Sequence, residues 1–181
     1  CKSSLSLSQT EINQLIIQEA NKGQKIARLK GGCSTIFARL GEEITALKQA
    51  NIPFQVVPGI SAAQAIAGRL HIPLTERDLA SSLYFITGHK KNDKDLINNW
   101  QLLADENATI VVYMGMANLE YITTNLLQNG MNPTIPAVCV YNGTLEDEKI
   151  LTSDLANIAT EVQKHKFQPP SLVIISKVLD L

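Results

Sequence analysis

The segment with the clearest chemical potential is Arg28-Leu29-Lys30-Gly31-Gly32-Cys33-Ser34-Thr35-Ile36-Phe37-Ala38-Arg39. A strand running into two glycines exposes backbone amides and carbonyls to whatever lies beyond the strand's carboxyl end. The spacing is neither G-x-x-x-x-G-K-[ST] nor G-x-G-x-x-G, so this is not a phosphate loop of either kind. Cys1, Cys33 and Cys139 are far apart and form no Cys-x-x-Cys pair, which excludes a disulfide framework and gives no zinc spacing. His71, His89 and His165 are equally isolated, so no metal is expected. No Ser/His/Asp or Cys/His arrangement has a distinctive local signature, and nucleophilic catalysis is unsupported.

These residues must be held by alternating strands and helices. Ser8-Gln9-Thr10-Glu11 has capping-box spacing, with Ser8 as N-cap, and Ile12, Leu15 and Ile16 follow at helical intervals until Gly23. Residues 25–30 read as a strand, 42–50 as a helix with Ile44 and Leu47 inward, and 54–57 as a strand stopped by Pro58-Gly59. A small-residue helix is expected over 61–70 and a linker over 75–82. Beyond it, strands are expected at 83–87, 109–114, 136–141, 149–151 and 171–178. Helices are expected at 95–103, after an Asn118 cap, and from Ser153 onward. Such alternation means an α/β fold with mostly parallel sheets flanked by helices, in two lobes: 1–79, incomplete, and 80–181. The run Leu172-Val173-Ile174-Ile175 is apolar on both faces and suits a central strand. A cleft between two lobes is a common ligand site.

Composition bounds the partners. The 181 residues are 45% hydrophobic and 18% charged, enough apolar surface for a core and too much for a disordered chain. Sixteen Lys and Arg against 17 Asp and Glu give a net charge of −1, which argues against nucleic acid or an anionic membrane surface. The longest apolar runs are strand-sized, so no bilayer span is expected. Widely spaced cysteines suggest a reducing, cytoplasmic setting.

Six segments in register carry a resemblance. They are Val56-Val57-Pro58-Gly59-Ile60-Ser61-Ala62, Ile72-Pro73-Leu74-Thr75-Glu76-Arg77-Asp78, Thr87-Gly88-His89, Val112-Tyr113-Met114-Gly115, Asn142-Gly143-Thr144 and Pro169-Pro170-Ser171-Leu172-Val173-Ile174. From Leu7 onward the chain resembles the tetrapyrrole methylase family, and within it the uroporphyrinogen-III C-methyltransferase branch. The resemblance implies a two-lobed, homodimeric enzyme that binds S-adenosylmethionine between its lobes and converts uroporphyrinogen III to precorrin-2. Matched by position, the cofactor contacts are Gly31, Gly32, Cys33 and Ile36 on one loop, Ser61 and Ala62 at a helix start, Met114 at a strand end and Gly143 in a later turn. Arg39 and Arg77 match arginines suited to hold the substrate's carboxylates in bidentate fashion.

Three departures bear on that expectation. Cys33-Ser34 stands where the family has Asp-Pro, Ala38-Arg39-Leu40 replaces a glycine-rich stretch, and Glu76 stands where the branch carries His. The family's opening strand, its glycine–proline loop and its catalytic acid and base are expected upstream of Cys1, so catalytic residues are unknown in this chain. The alternatives are a catalytically inactive, truncated homologue acting as a binding or structural module, and a methylase of a later precorrin.

Overall fold

The computed structural model describes residues 7–89 and 99–181. The chain divides into two compact units, Cys1–Ser61 and Ala62–Leu181. The sequence suggests a boundary between 79 and 80. The units instead divide earlier, because the helix starting at Ala62 packs on the sheet of the second unit.

The first unit contains α1 (Gln9–Asn21) and α2 (Leu40–Gln49). Ser8 and Glu11 close the expected capping box: the Glu11 amide donates to the Ser8 hydroxyl, and the Ser8 amide donates to the Glu11 carboxylate. Gly23, at φ +80°, follows α1 in the left-handed region that glycine tolerates. Segments 25–30 and 54–57 are not strands, contrary to expectation. Strand formation needs a neighbouring backbone, and neither segment has a ladder among the described residues. Leu29 is 83% exposed and Val57 73%. The described residues of this unit that are fully buried are Gln9, Glu43 and Ser61, all polar. Ile44 and Leu47, expected inward, are only half-buried.

The second unit is a five-stranded sheet in the order β1-β2-β5-β3-β4. Its strands are β1 (Ser82–Thr87), β2 (Ala108–Tyr113), β3 (Pro136–Tyr141), β4 (Lys149–Asp154) and β5 (Ser171–Ile175). Its helices are α3 (Ala62–Leu70), α4 (Trp100–Leu103), α5 (Leu119–Gln128) and α6 (Ile158–Lys164). The α/β class stands, but the sheet is mixed rather than mostly parallel. β1 and β2 pair in parallel, whereas β2–β5, β3–β5 and β3–β4 are antiparallel. The turn joining β3 to β4 is short enough to return the chain as a hairpin.

β5 lies at the centre, as its apolar run requires. Val173 and Ile175 face one way, against Leu119, Ile122 and Leu126 of α5 and Ile158 and Val162 of α6. Leu172 and Ile174 face the other way, with Ala63 and Ile66 of α3. Truncating a fully buried side chain such as Ile174 to alanine costs about 2–5 kcal/mol.

Two helix starts differ from the sequence reading. α6 begins at Ile158 rather than near Ser153, because residues through Asp154 stay in the β4 ladder and the Asp154 carboxylate then accepts from the Asn157 amide. Asn118 precedes α5, but its side chain does not cap it; the carboxamide donates to the Gly88 carbonyl at 2.7 Å. Of the helix expected over 95–103, α4 is present, and 95–98 lie outside the described residues.

Candidate functional site

Strand direction gathers the loops of the second unit. β2 and β3 are both antiparallel to β5 and therefore point the same way, and β1 runs parallel to β2. The loops after β1, β2 and β3 thus emerge from one edge of the sheet, the carboxyl edge where open α/β sheets bind ligands. They carry Gly88, Met114-Gly115 and Asn142-Gly143.

Close backbone approach fixes these loops. A Cβ on Gly88 would overlap the Gly115 backbone, so the first two loops touch as only glycines permit. The Gly88 amide donates to the Tyr113 carbonyl at 2.7 Å. A Cβ on Gly143 would lie 2.7 Å from Ile66 Cγ1 of α3, which ties the third loop to that helix. The Ala63 amide, in the first turn of α3, donates to the Tyr113 hydroxyl at 3.1 Å. Ala62, Met114 and Gly143, matched separately along the sequence, are therefore neighbours of this one edge.

Met114 is no core residue: it is 53% exposed and its φ is +50°. Asn142 at +46° and Thr144 at +74° share that left-handed backbone. Non-glycine residues in this region are uncommon and concentrate where surrounding structure over-determines them. At Thr144 the constraint is visible. Its amide donates to Glu148 Oε2 at 2.7 Å, and Glu148, whose side chain is 8% exposed, pairs with Arg69 of α3 at 3.2 Å.

In the first unit, Gly31, Gly32, Cys33 and Ile36 lie on one loop. Gly32 has φ +73°, and a Cβ on Gly59 would overlap the Gly32 carbonyl, so the 31–34 and 57–60 turns lie together. Ser34 Oγ donates to the Val57 carbonyl at 3.4 Å. Cys33 is half-buried, with its sulfur 3.0 Å from the Thr35 hydroxyl. The Thr35 hydroxyl first, then backbone hydrogen bonds at Gly59 and Thr35, hold the Cys33 thiol below its ordinary value. Burial pushes the Cys139 thiol up to about 12. Ser61 is buried immediately before α3.

Arg39 is in the left-handed region and already engaged: Nε and Nη2 each donate to the Glu42 carboxylate at 2.7 Å. Arg77 is exposed, beside a turn in which Glu76 accepts from the Asp78 amide. Sequence reasoning missed Tyr113 Oη, Glu148 and Glu43, whose roles depend on long-range partners. Gly88 and Gly115 lie within the matched motifs, but nothing local reveals their mutual contact.

Among the described residues no group of three or more His, Cys, Asp or Glu could hold a metal ion, and no helix is long and apolar enough to cross a membrane. A cavity of about 350 Å³ opens between α5 and α6, lined by Met116, Asn118, Tyr121, Ala159 and Gln163 among others. None of the residues matched by resemblance lines it.

The sequence model described as Tetrapyrrole (Corrin/Porphyrin) Methylases matches residues 2–159. The siroheme synthase of Nitrosomonas eutropha is 45% identical over 176 residues, covering 97% of this chain and 37% of that protein. The siroheme synthase of Hahella chejuensis is 43% identical over 181 residues, covering 99% and 38%. The chain thus spans less than two fifths of the length of these relatives. Among solved structures, the uroporphyrin-III C-methyltransferase of Thermus thermophilus complexed with S-adenyl homocysteine has TM-score 0.79 at 29% identity, over 95% of this chain and 74% of that one. A cobalt precorrin-4 methyltransferase shares the fold, with TM-score 0.87 at 18% identity over 98% and 74% of the two chains.

Proposed function

Because the chain belongs to the tetrapyrrole methylase family, we propose that it binds S-adenosylmethionine and methylates ring carbons of uroporphyrinogen III, giving precorrin-2 for siroheme or corrinoid synthesis. The observation that carries this reading is the convergence of Gly88, Met114-Gly115 and Gly143 with the start of α3 at one carboxyl sheet edge. An exposed thioether and glycine turns that let backbone groups approach fit a ligand carrying a purine.

When bound, the donor supplies an electrophilic methyl group on sulfonium sulfur. Transfer of that methyl to a ring carbon would need donor and acceptor held in line more than an activated nucleophile. The chain's own contribution is alignment. Ala62, Met114 and Gly143 of the second unit, and Gly31, Gly32, Cys33, Ile36 and Ser61 of the first, are proposed to hold the donor. Arg77 offers an exposed guanidinium to the acceptor's carboxylates, and Arg39 does so only by releasing Glu42. Family resemblance adds a cytoplasmic homodimer to the reading.

The test is incubation of the chain with methyl-labelled S-adenosylmethionine and uroporphyrinogen III under reducing, anaerobic conditions. The reading expects label in a product heavier by two methyl groups; an unlabelled acceptor overturns the activity. Arg39→Ala and Arg77→Ala are expected to raise KM for the acceptor while leaving S-adenosylhomocysteine affinity unchanged. The engaged state of Arg39, and Cys33 in place of the family's Asp, favour a second reading in which the chain binds the donor product without turnover. Calorimetric binding with no labelled acceptor would establish that alternative.

A further inference from the structure

The first unit buries charge where a core would ordinarily sit. Glu43 of α2, with a side chain 6% exposed, meets Lys30 at 2.7 Å and Arg28 at 3.3 Å, and Gln9 of α1 donates to its Oε1 at 3.1 Å. Lys30, 10% exposed, makes a second bond with the same ammonium, donating to the Ala38 carbonyl at 2.6 Å. Lys30 stands at one end of the 31–38 segment and Ala38 at the other, so one side chain closes that loop. We propose that Lys30, anchored by Glu43, is the positioning residue that fixes the 31–38 loop in the form the methyl donor requires. The inference rests on the reading of that loop as part of the donor site.

The loop's own hydrogen bonds, the Ile36 amide to the Cys33 carbonyl at 3.3 Å and the Cys33 sulfur to the Thr35 hydroxyl at 3.0 Å, span only its middle. Gly31 has no neighbour that a Cβ would meet, Gly32 and Phe37 have φ +73° and +48°, and no ladder supports residues 25–30. Left-handed residues persist only when surrounding contacts over-determine them. A buried ammonium with two strong acceptors at fixed positions provides such a constraint, because leaving either partner unpaired carries its desolvation penalty. Lysine suits this position, because a compact ammonium with several donors reaches a carboxylate and a carbonyl together.

The test compares the full chain with Lys30→Met, Glu43→Gln and a control, Leu47→Ala, which alters α2 away from the loop. Two quantities are read: amide exchange of residues 31–38 relative to α1, and the S-adenosylhomocysteine Kd by calorimetry. The inference expects Lys30→Met and Glu43→Gln each to speed loop exchange selectively and to weaken binding by about tenfold or more. Leu47→Ala should lower Tm while changing neither selectively. Loop exchange that stays unchanged, or rises equally throughout the unit, overturns the inference even where the parent binds ligand. Selective loosening in a parent that binds no S-adenosylhomocysteine keeps the loop staple and overturns the donor reading. Glu43→Gln preserves shape and an acceptor, so the comparison survives if Lys30→Met fails to fold.

Discussion

Met114 and Cys33 show what single residues contribute. Met114 carries left-handed strain and exposes half its surface, so its stability cost is not offset by burial. Met114→Gly is therefore expected to leave stability unchanged or raise it by up to about 1 kcal/mol of relieved strain, while weakening S-adenosylhomocysteine binding. Loss of stability with unchanged affinity would show instead that the residue is structural. Cys33 and Cys139 should separate in alkylation. The hydrogen-bonded Cys33 thiol ionises at lower pH than an ordinary thiol, whereas Cys139 is fully buried and pushed to about 12. Peptide mapping after a short iodoacetamide pulse near pH 8 is expected to find Cys33 modified and Cys139 untouched; equal labelling contradicts the placement. Glu43 gives a pH dependence with a definite sign. Burial raises its carboxyl value, but hydrogen bonds from Lys30 and Gln9 and the charges of Lys30 and Arg28 bring it below the ordinary one. A depressed folded value contributes stability above the ordinary carboxylate range and loses it as pH falls through the folded value. The stability gap between parent and Glu43→Gln should therefore narrow in acid; a gap independent of pH would exclude the charge as its source.

At the scale of elements, glycine positions discriminate packing from mere flexibility. Gly88→Ala would drive a methyl into the Gly115 backbone, and is expected to cost about 1–3 kcal/mol or more. Gly68→Ala, inside α3 with nothing within 4 Å, is expected to stabilise by about 0.5–1 kcal/mol. Denaturant titration of both variants checks the pair, and like signs would refute the loop contact. Much of the element structure is legible in the sequence because its causes are local. The Ser8 box, β3 and the two-faced apolar run of β5 follow from spacing alone. Residues 25–30 and 54–57 mislead because their apolar content satisfies strand propensity, whereas a strand also needs a partner. The start of α6 misleads because Ser153 looks like a cap while its backbone remains in the β4 ladder. Glu43 is unreadable as a buried residue, since a lone charge reads as solvated until Lys30, Arg28 and Gln9 are seen around it.

At the scale of the molecule, the second unit gives the candidate site its rigidity. Its sheet is covered on both faces, with α5 and α6 against one cluster and α3 against the other, so loops leaving the strand ends are set by a packed core. The matched residues Ala62, Met114 and Gly143 have no visible relation in the sequence beyond order. Their convergence needs the antiparallel insertion of β5 between β2 and β3, a topology that no local pattern encodes. The first unit is constructed differently, around a buried ion cluster beside a glycine loop. Hydrogen exchange of the full chain with and without saturating S-adenosylhomocysteine tests the central claim most directly. The proposed donor binding predicts slowed exchange at 88–89, 114–115 and 142–144, and in the 31–36 loop of the first unit. Protection confined to the α5–α6 cavity, or none at about 1 mM ligand, would contradict it.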